Sequence, residues 1–232
     1  MCIPSSVIAC LLIIGASTLD AQMTDAPSTG LTITPKVGYT GYSALYDGPV
    51  AVAIPGFGLS SIPLKIEIDG QFEFGVDLRY GRPGTRWSVF GDVSRGSGDA
   101  QATACFEGDC ATLKGDVTAL HFSGGLGYRL PAFANSPSSL HLLLGANLTR
   151  VTLEDTDLNE DATLTNPGGL LGIALDYSLS PRLGLRLQVT DALVKVDTNE
   201  LESTFSEDGA SARLDSQIQN MVRLGVGLSL KF

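Results

Sequence analysis

Residues 71–80, QFEFGVDLRY, alternate between apolar and polar positions almost without error. Phe72, Phe74, Val76, Leu78 and Tyr80 fall on one parity, and Gln71, Glu73, Asp77 and Arg79 on the other. A period of two predicts a strand with one apolar and one polar face. Eight such segments can be read: Thr32–Ser43, Ile68–Tyr80, Trp87–Arg95, Thr118–Leu130, Leu140–Val151, Leu170–Leu179, Leu183–Leu193 and Ile218–Phe232. Most are about as long as a tilted strand needs to cross a bilayer, roughly 9–11 residues.

The pattern leaves one question: which face meets the solvent. In a soluble sandwich or a lipocalin-like calyx the apolar parity turns inward. In a transmembrane barrel it turns outward to lipid, and the strand number is even. The connections decide between them. Arg82-Pro83-Gly84-Thr85 and Ser180-Pro181-Arg182 are tight turns, and Pro131–Ser138 is somewhat longer. The alternate connections, Ala44–Glu67, Gly96–Val117, Thr152–Gly169 and Val194–Gln217, are long. Short turns at one end and long loops at the other predict an all-β fold, an eight-stranded antiparallel up-and-down transmembrane β-barrel.

With the apolar parity outside, the polar parity fills the axis. It places Glu73, Asp77, Arg79, Asp92, Asp176, Arg186 and Arg223 in the lumen, with Lys36, His121, Arg129, Gln188 and Lys231. Acid and base are mixed there, as a narrow lumen requires, because buried charges must be paired or hydrated. Eight strands leave an interior that side chains nearly fill, which argues against an open diffusion pore.

Composition sharpens this picture. Glycine is abundant at 27 residues and only 7% of the chain is aromatic. A net charge of −10 argues against a nucleic-acid partner. The run Val7–Ala16 is apolar and of signal-peptide length, too short for a spanning helix. Cleavage after Leu19-Asp20-Ala21 would leave a mature chain of charge −9. The n-region has no Lys or Arg, and Val7-Ile8-Ala9-Cys10 is a lipobox-like stretch whose apolar run follows the cysteine instead of preceding it. The predicted organisation is 1–21 signal peptide, 22–30 short lead and 31–232 barrel. Cys105 and Cys110, in CFEGDC, are the cysteines of the mature chain. An exported chain meets an oxidising compartment, so these are expected to form a disulfide.

The last residues, Leu224-Gly225-Val226-Gly227-Leu228-Ser229-Leu230-Lys231-Phe232, end in a phenylalanine preceded by alternate apolar residues. This resembles the assembly signal of bacterial outer-membrane barrels, carried by Leu228, Leu230 and Phe232. Residues 31–232 resemble the OmpA/OmpX-like eight-stranded outer-membrane β-barrel family, with OmpW-like barrels a close alternative. The resemblance implies location in the outer membrane, insertion by the barrel-assembly machinery, and contact with outer-membrane lipid and lipopolysaccharide. It implies a structural or surface-interaction role, or alternatively a narrow conduit for small solutes, hydrophobic ones included. It implies no cofactor.

Candidate chemistry is sparse. His121-Phe122-Ser123 has the His-x-Ser spacing of the lipid A deacylases, but both residues are on the lumen parity and Gly124 replaces the Asn that follows in that family. A lumen histidine bonded to a neighbouring carboxylate is the simpler reading of His121, and an interfacial position that of His141. The protein is therefore read as a non-enzyme. Glu154–Asp161 is acidic and opens like a calcium loop, yet Glu160 stands where glycine is required. Acidic loops would repel lipopolysaccharide phosphates unless divalent cations bridge them. The stretch Pro49–Leu59 is apolar where a loop is expected. It could extend the first strand, cover the barrel mouth, or offer a patch to a hydrophobic ligand or partner.

Overall fold

The computed structural model describes residues 30–54, 58–106, 109–131, 137–154, 161–196, 198 and 211–232. The predicted signal peptide and most of the lead lie outside them. The elements are β1 (Leu31–Tyr42), β2 (Tyr46–Ile54), β3 (Gly58–Ile68), β4 (Gln71–Tyr80), β5 (Trp87–Phe106), β6 (Asp109–Arg129), β7 (Ser138–Glu154), β8 (Asp161–Ser178), β9 (Leu183–Lys195), β10 (Ser211–Arg213) and β11 (Ile218–Lys231). All neighbouring pairs are antiparallel.

The expected strand count of eight is corrected. Ten strands have nine or more residues, and β10 adds three more residues of ladder. Eight of them, in the order β1-β4-β5-β6-β7-β8-β9-β11, close on themselves because β11 pairs with β1 and β5 with β6. The additional strands come from a segment expected as loop. β2 and β3 form a hairpin above the ring, β3 pairs with the outer half of β5, and β10 pairs with β2. The chain turns at Asp69-Gly70, so β4 starts at Gln71 and not at Ile68. Of the other long loops, Gly96–Val117 is mostly ladder between β5 and β6, and much of Thr152–Gly169 is ladder between β7 and β8. Ala100, Val117 and Ala119 are buried in one cluster with the β2–β3 region, and Ala102 packs against it, which supports these strands beyond the membrane.

Register fixes the barrel's stagger. Following cross-strand partners from Thr32 through Arg79, Phe90, Gly125, Gly145, Leu170, Ala192 and Met221 returns to β1 at Tyr42, ten residues further on. Such a shear sets the tilt of the strands, and a ring of only eight leaves an interior that side chains fill. Gly125 and Gly145 face each other across β6 and β7, where a Cβ on either would overlap the opposite backbone. The turn after β4 carries Pro83 and then Gly84 at φ 80°, the residue choice of a type II turn.

The alternation resolves as the outward reading required. Phe72 and Phe74 are 75% and 70% exposed, while Glu73 and Asp77 are 3% and 0% exposed. The apolar belt continues through Val89, Leu126, Leu144, Leu171, Val226 and Leu228. Aromatic pairs mark its two ends, Trp87 with Tyr128 at the short-turn end and Tyr39 with Phe72 towards the other. Aromatic girdles of this kind belong at membrane–water interfaces, and the short-turn end faces the periplasm.

Candidate functional site

The lumen is stacked in layers. At its centre Arg223 on β11 donates to both oxygens of Glu73 on β4, at 3.1 and 3.0 Å, and to Asp92 on β5 at 3.0 Å. Ser94 and Thr40 donate to the same Glu73 carboxylate, at 2.6 and 2.7 Å. Lys36 on β1 pairs with the other oxygen of Asp92. Nearer the periplasm, Arg79 and Arg186 converge on Asp176, and Arg186 Nε lies 3.5 Å from Asp77. The seven charged residues assigned to the lumen are thus brought together in two groups. One is Glu73, Asp92 and Arg223; the other is Asp77, Arg79, Asp176 and Arg186. A cavity about large enough for one water separates parts of this packing, lined by Lys36, Glu73, Ser94, Gln188 and Arg223. Arg129, read as a lumen residue, is instead exposed at the periplasmic rim.

Both histidine expectations are corrected. His121 is fully buried, but its partners are Tyr42 Oη at 3.2 Å and Thr149 Oγ1 at 3.1 Å, not a carboxylate. These contacts occupy both ring nitrogens, so neither is directed at Ser123. His141 is buried in the lumen beside Asp176, 3.2 Å away, and Ser139, 3.0 Å away, not at the interface. His141 has the inward parity of β7, shared with Leu143, Asn147 and Thr149.

Sequence reasoning missed the layer above. At the membrane-distal end the inward parity changes from ionic to apolar. Leu45, Tyr46, Val50, Leu64 and Ile66 of the β2–β3 region pack against Ala100, Val117, Val151 and Leu164 of the ring, and all are buried. Of the apolar stretch Pro49–Leu59, residues 49–54 and 58–59 extend the sheet, Val50 is buried in this cluster and Val52 packs against it; residues 55–57 lie outside the described residues. The signal was legible in Ala100, Val117, Ala119 and Val151, which carry the lumen parity yet are apolar. Beneath this cap, Tyr42 donates to Gln71 at 2.9 Å and joins His121 in a hydrogen-bonded shelf.

The remaining assignments lie at the ends. Cys105 and Cys110 are disulfide-bonded as register partners near the tip of the β5–β6 hairpin. Leu228, Leu230 and Phe232 point outward at the periplasmic rim, where the Phe232 amide donates to Leu31. Residues 155–160 of the calcium-like run lie outside the described residues, as does most of the acidic connection after β9. Among the described residues no cluster of three or more acidic, histidine or cysteine ligands could hold a metal. Outside the membrane, a hydrogen bond from Lys65 to Glu67 raises the lysine's pKa, but the pair is exposed and contributes little.

A closed ring with an apolar exterior and an ionic axis defines a transmembrane β-barrel. The chain belongs to the family described as outer membrane protein beta-barrel domain, which matches residues 6–232, and is a protein of the bacterial outer membrane. No curated protein matches it in sequence. Among solved structures it is similar to Neisserial surface protein A, with a TM-score of 0.55 at 13% identity, covering 89% of this chain and 100% of that one. It is similar to OprG from Pseudomonas aeruginosa, with a TM-score of 0.55 at 15% identity, covering 88% and 97%. A major outer membrane protein from Thermus thermophilus gives 0.51 at 13%, covering 87% and 99%. At these identities the likeness concerns the fold alone.

Proposed function

We propose that the protein is a non-conducting outer-membrane barrel whose role is structural and surface-directed. The observation that carries this reading is the sequence of seals along one axis. Apolar side chains of the β2–β3 region pack across the mouth, the Tyr42–Gln71–His121 shelf lies beneath them, and two ion-paired layers follow. A solute would have to displace all of these. Buried charges that have exchanged hydration for fixed partners resist separation, since each would be left uncompensated. The work then falls to the outer surface and the membrane-distal strands. Planar-bilayer recording of the refolded protein tests this: no unitary conductance is expected, and steady channels from the unmodified protein would favour the conduit reading instead.

A catalytic role is not part of the proposal. His121 is engaged away from Ser123, and both occupy the lumen side of β6, where a lipid ester has no access. Lipid A deacylation that disappeared in Ser123→Ala would reverse this. Leu228, Leu230 and Phe232 are proposed to be read by the barrel-assembly machinery.

A further inference from the structure

The outer surface is not uniform at its upper border. Arg95 on β5 is the register partner of Leu120 on β6, and Leu120 is the partner of Arg150 on β7. Residues directly opposite across a ladder share a face, and 95, 120 and 150 have the outward parity. The two arginines are two strand spacings apart, about 10 Å. Both are exposed, and neither has an ion-pair partner among the described residues.

Their height is specific. Below this row the same face carries Val93, Phe122 and Leu148, all exposed and apolar. From Trp87, at the periplasmic girdle, Arg95 is about 26 Å along β5, which a strand tilt of about 40° shortens to about 20 Å of height, in the upper part of an apolar band about 25 Å tall. Its register partner on β4 is Phe74, next to the Tyr39–Phe72 pair that marks the upper end of the belt. The next row outward is Ser97, Thr118, Thr152 and Thr163, four hydroxyls in consecutive register. Asp99, Asp116, Glu154 and Asp161 form the next register row, about 7 Å beyond the hydroxyls and about 13 Å beyond the arginines along the strand, so only an anion held at the arginine row lies beyond the screening length of this acidic row in physiological salt. On β9, the strand diametrically opposite β5 in the ring, the outward residue near this level is Asp191, flanked by Leu171 and Val222.

From this arrangement we infer that the outer face of β5–β6–β7 binds the phosphorylated headgroup of an outer-leaflet lipid. Arg95 and Arg150 grip phosphate oxygens, and Ser97, Thr118 and Thr152 donate to headgroup oxygens above them. The acyl chains lie over Phe122 and Leu148. Guanidinium groups suit this task because they remain charged and present paired donors to phosphate. The opposite face, with Asp191 at the border, has no such affinity, so lipid is held on one side of the barrel.

The test uses the full chain refolded in detergent and native mass spectrometry, with bisphosphorylated lipid A, its dephosphorylated form and inorganic phosphate as probes. The unmodified protein should retain the bisphosphorylated lipid about tenfold more tightly than the dephosphorylated one, the worth of one strong charged contact. Arg95→Gln/Arg150→Gln should erase that difference, whereas Lys195→Gln, a charge removed elsewhere on the outward surface, should preserve it. Heat-modifiable gel mobility verifies that each variant is folded. Equal retention by the double variant overturns the inference, as does inorganic phosphate binding as tightly as the lipid. Arginine-dependent dimers without lipid preference would assign the same residues to Asp191 of a second copy and likewise overturn it.

Discussion

Arg223 illustrates how one side chain holds several strands at once. It lies on β11 and engages carboxylates on β4 and β5, at positions reached only because β1 bridges those strands to it. Arg223→Met would leave Glu73 and Asp92 buried beside fewer cations. A loss of about 3–5 kcal/mol is expected in urea unfolding from detergent, the range for breaking a buried pair on one side. Asp77 differs. It is fully buried, yet its only ion pair among the described residues is the 3.5 Å approach of Arg186, which also serves Asp176. Asp77→Asn removes the desolvation cost of a weakly paired charge, so stability should move by no more than about 1 kcal/mol in the same measurement. The partition of charges to the lumen was legible because Glu73, Asp77 and Arg79 alternate with exposed aromatics and aliphatics. Their partners were not. Whether Glu73 meets Arg223 or Arg186 depends on the ten-residue stagger of the ring, which no single strand encodes. His141 was hidden for a related reason: parity along β7 places it inward, but its proximity to a turn reads equally as an interfacial position.

At the scale of elements, the segments beyond the membrane were the least legible. Polar turn residues and glycines around Gly96, Gly98 and Gly115 read as loop, yet the β5–β6 ladder continues through them to the disulfide. Local pattern understates a strand whose partner is already fixed by the membrane-embedded half. The Cys105–Cys110 bond closes a hairpin that is paired along its length. Its removal by Cys105→Ser/Cys110→Ser should leave heat-modifiable mobility unchanged and speed protease cleavage at the hairpin tip only. The β2–β3 hairpin depends instead on apolar packing. Leu64→Asp introduces a charge into the cluster around Tyr46 and Val117 and should make the hairpin protease-sensitive while the ring stays folded. A strong constraint on an element is at Gly145. A side chain there has no room against the β6 backbone, so Gly145→Val should abolish the folded gel form, whereas Gly169→Val, with open space around it, should not.

For the whole molecule, the inside-out distribution accounts for the solvent the protein requires. Phe72, Phe74, Leu144 and Leu171 would expose a broad apolar band to water, so the folded ring is expected to remain dispersed in detergent and to precipitate on its removal. Closure has a further consequence for biogenesis. The first strand of the ring in chain order, β1, is hydrogen-bonded on one side to β11, the last strand of the ring in chain order. Until Phe232 has emerged, no cylinder can exist, and every shorter chain carries two raw sheet edges seeking partners. Production in the cell must therefore keep the strands apart through all of translation and export, then join the ends in one late event. A nascent chain stalled before Ile218 is a substrate for edge-to-edge aggregation, however well its earlier strands pair.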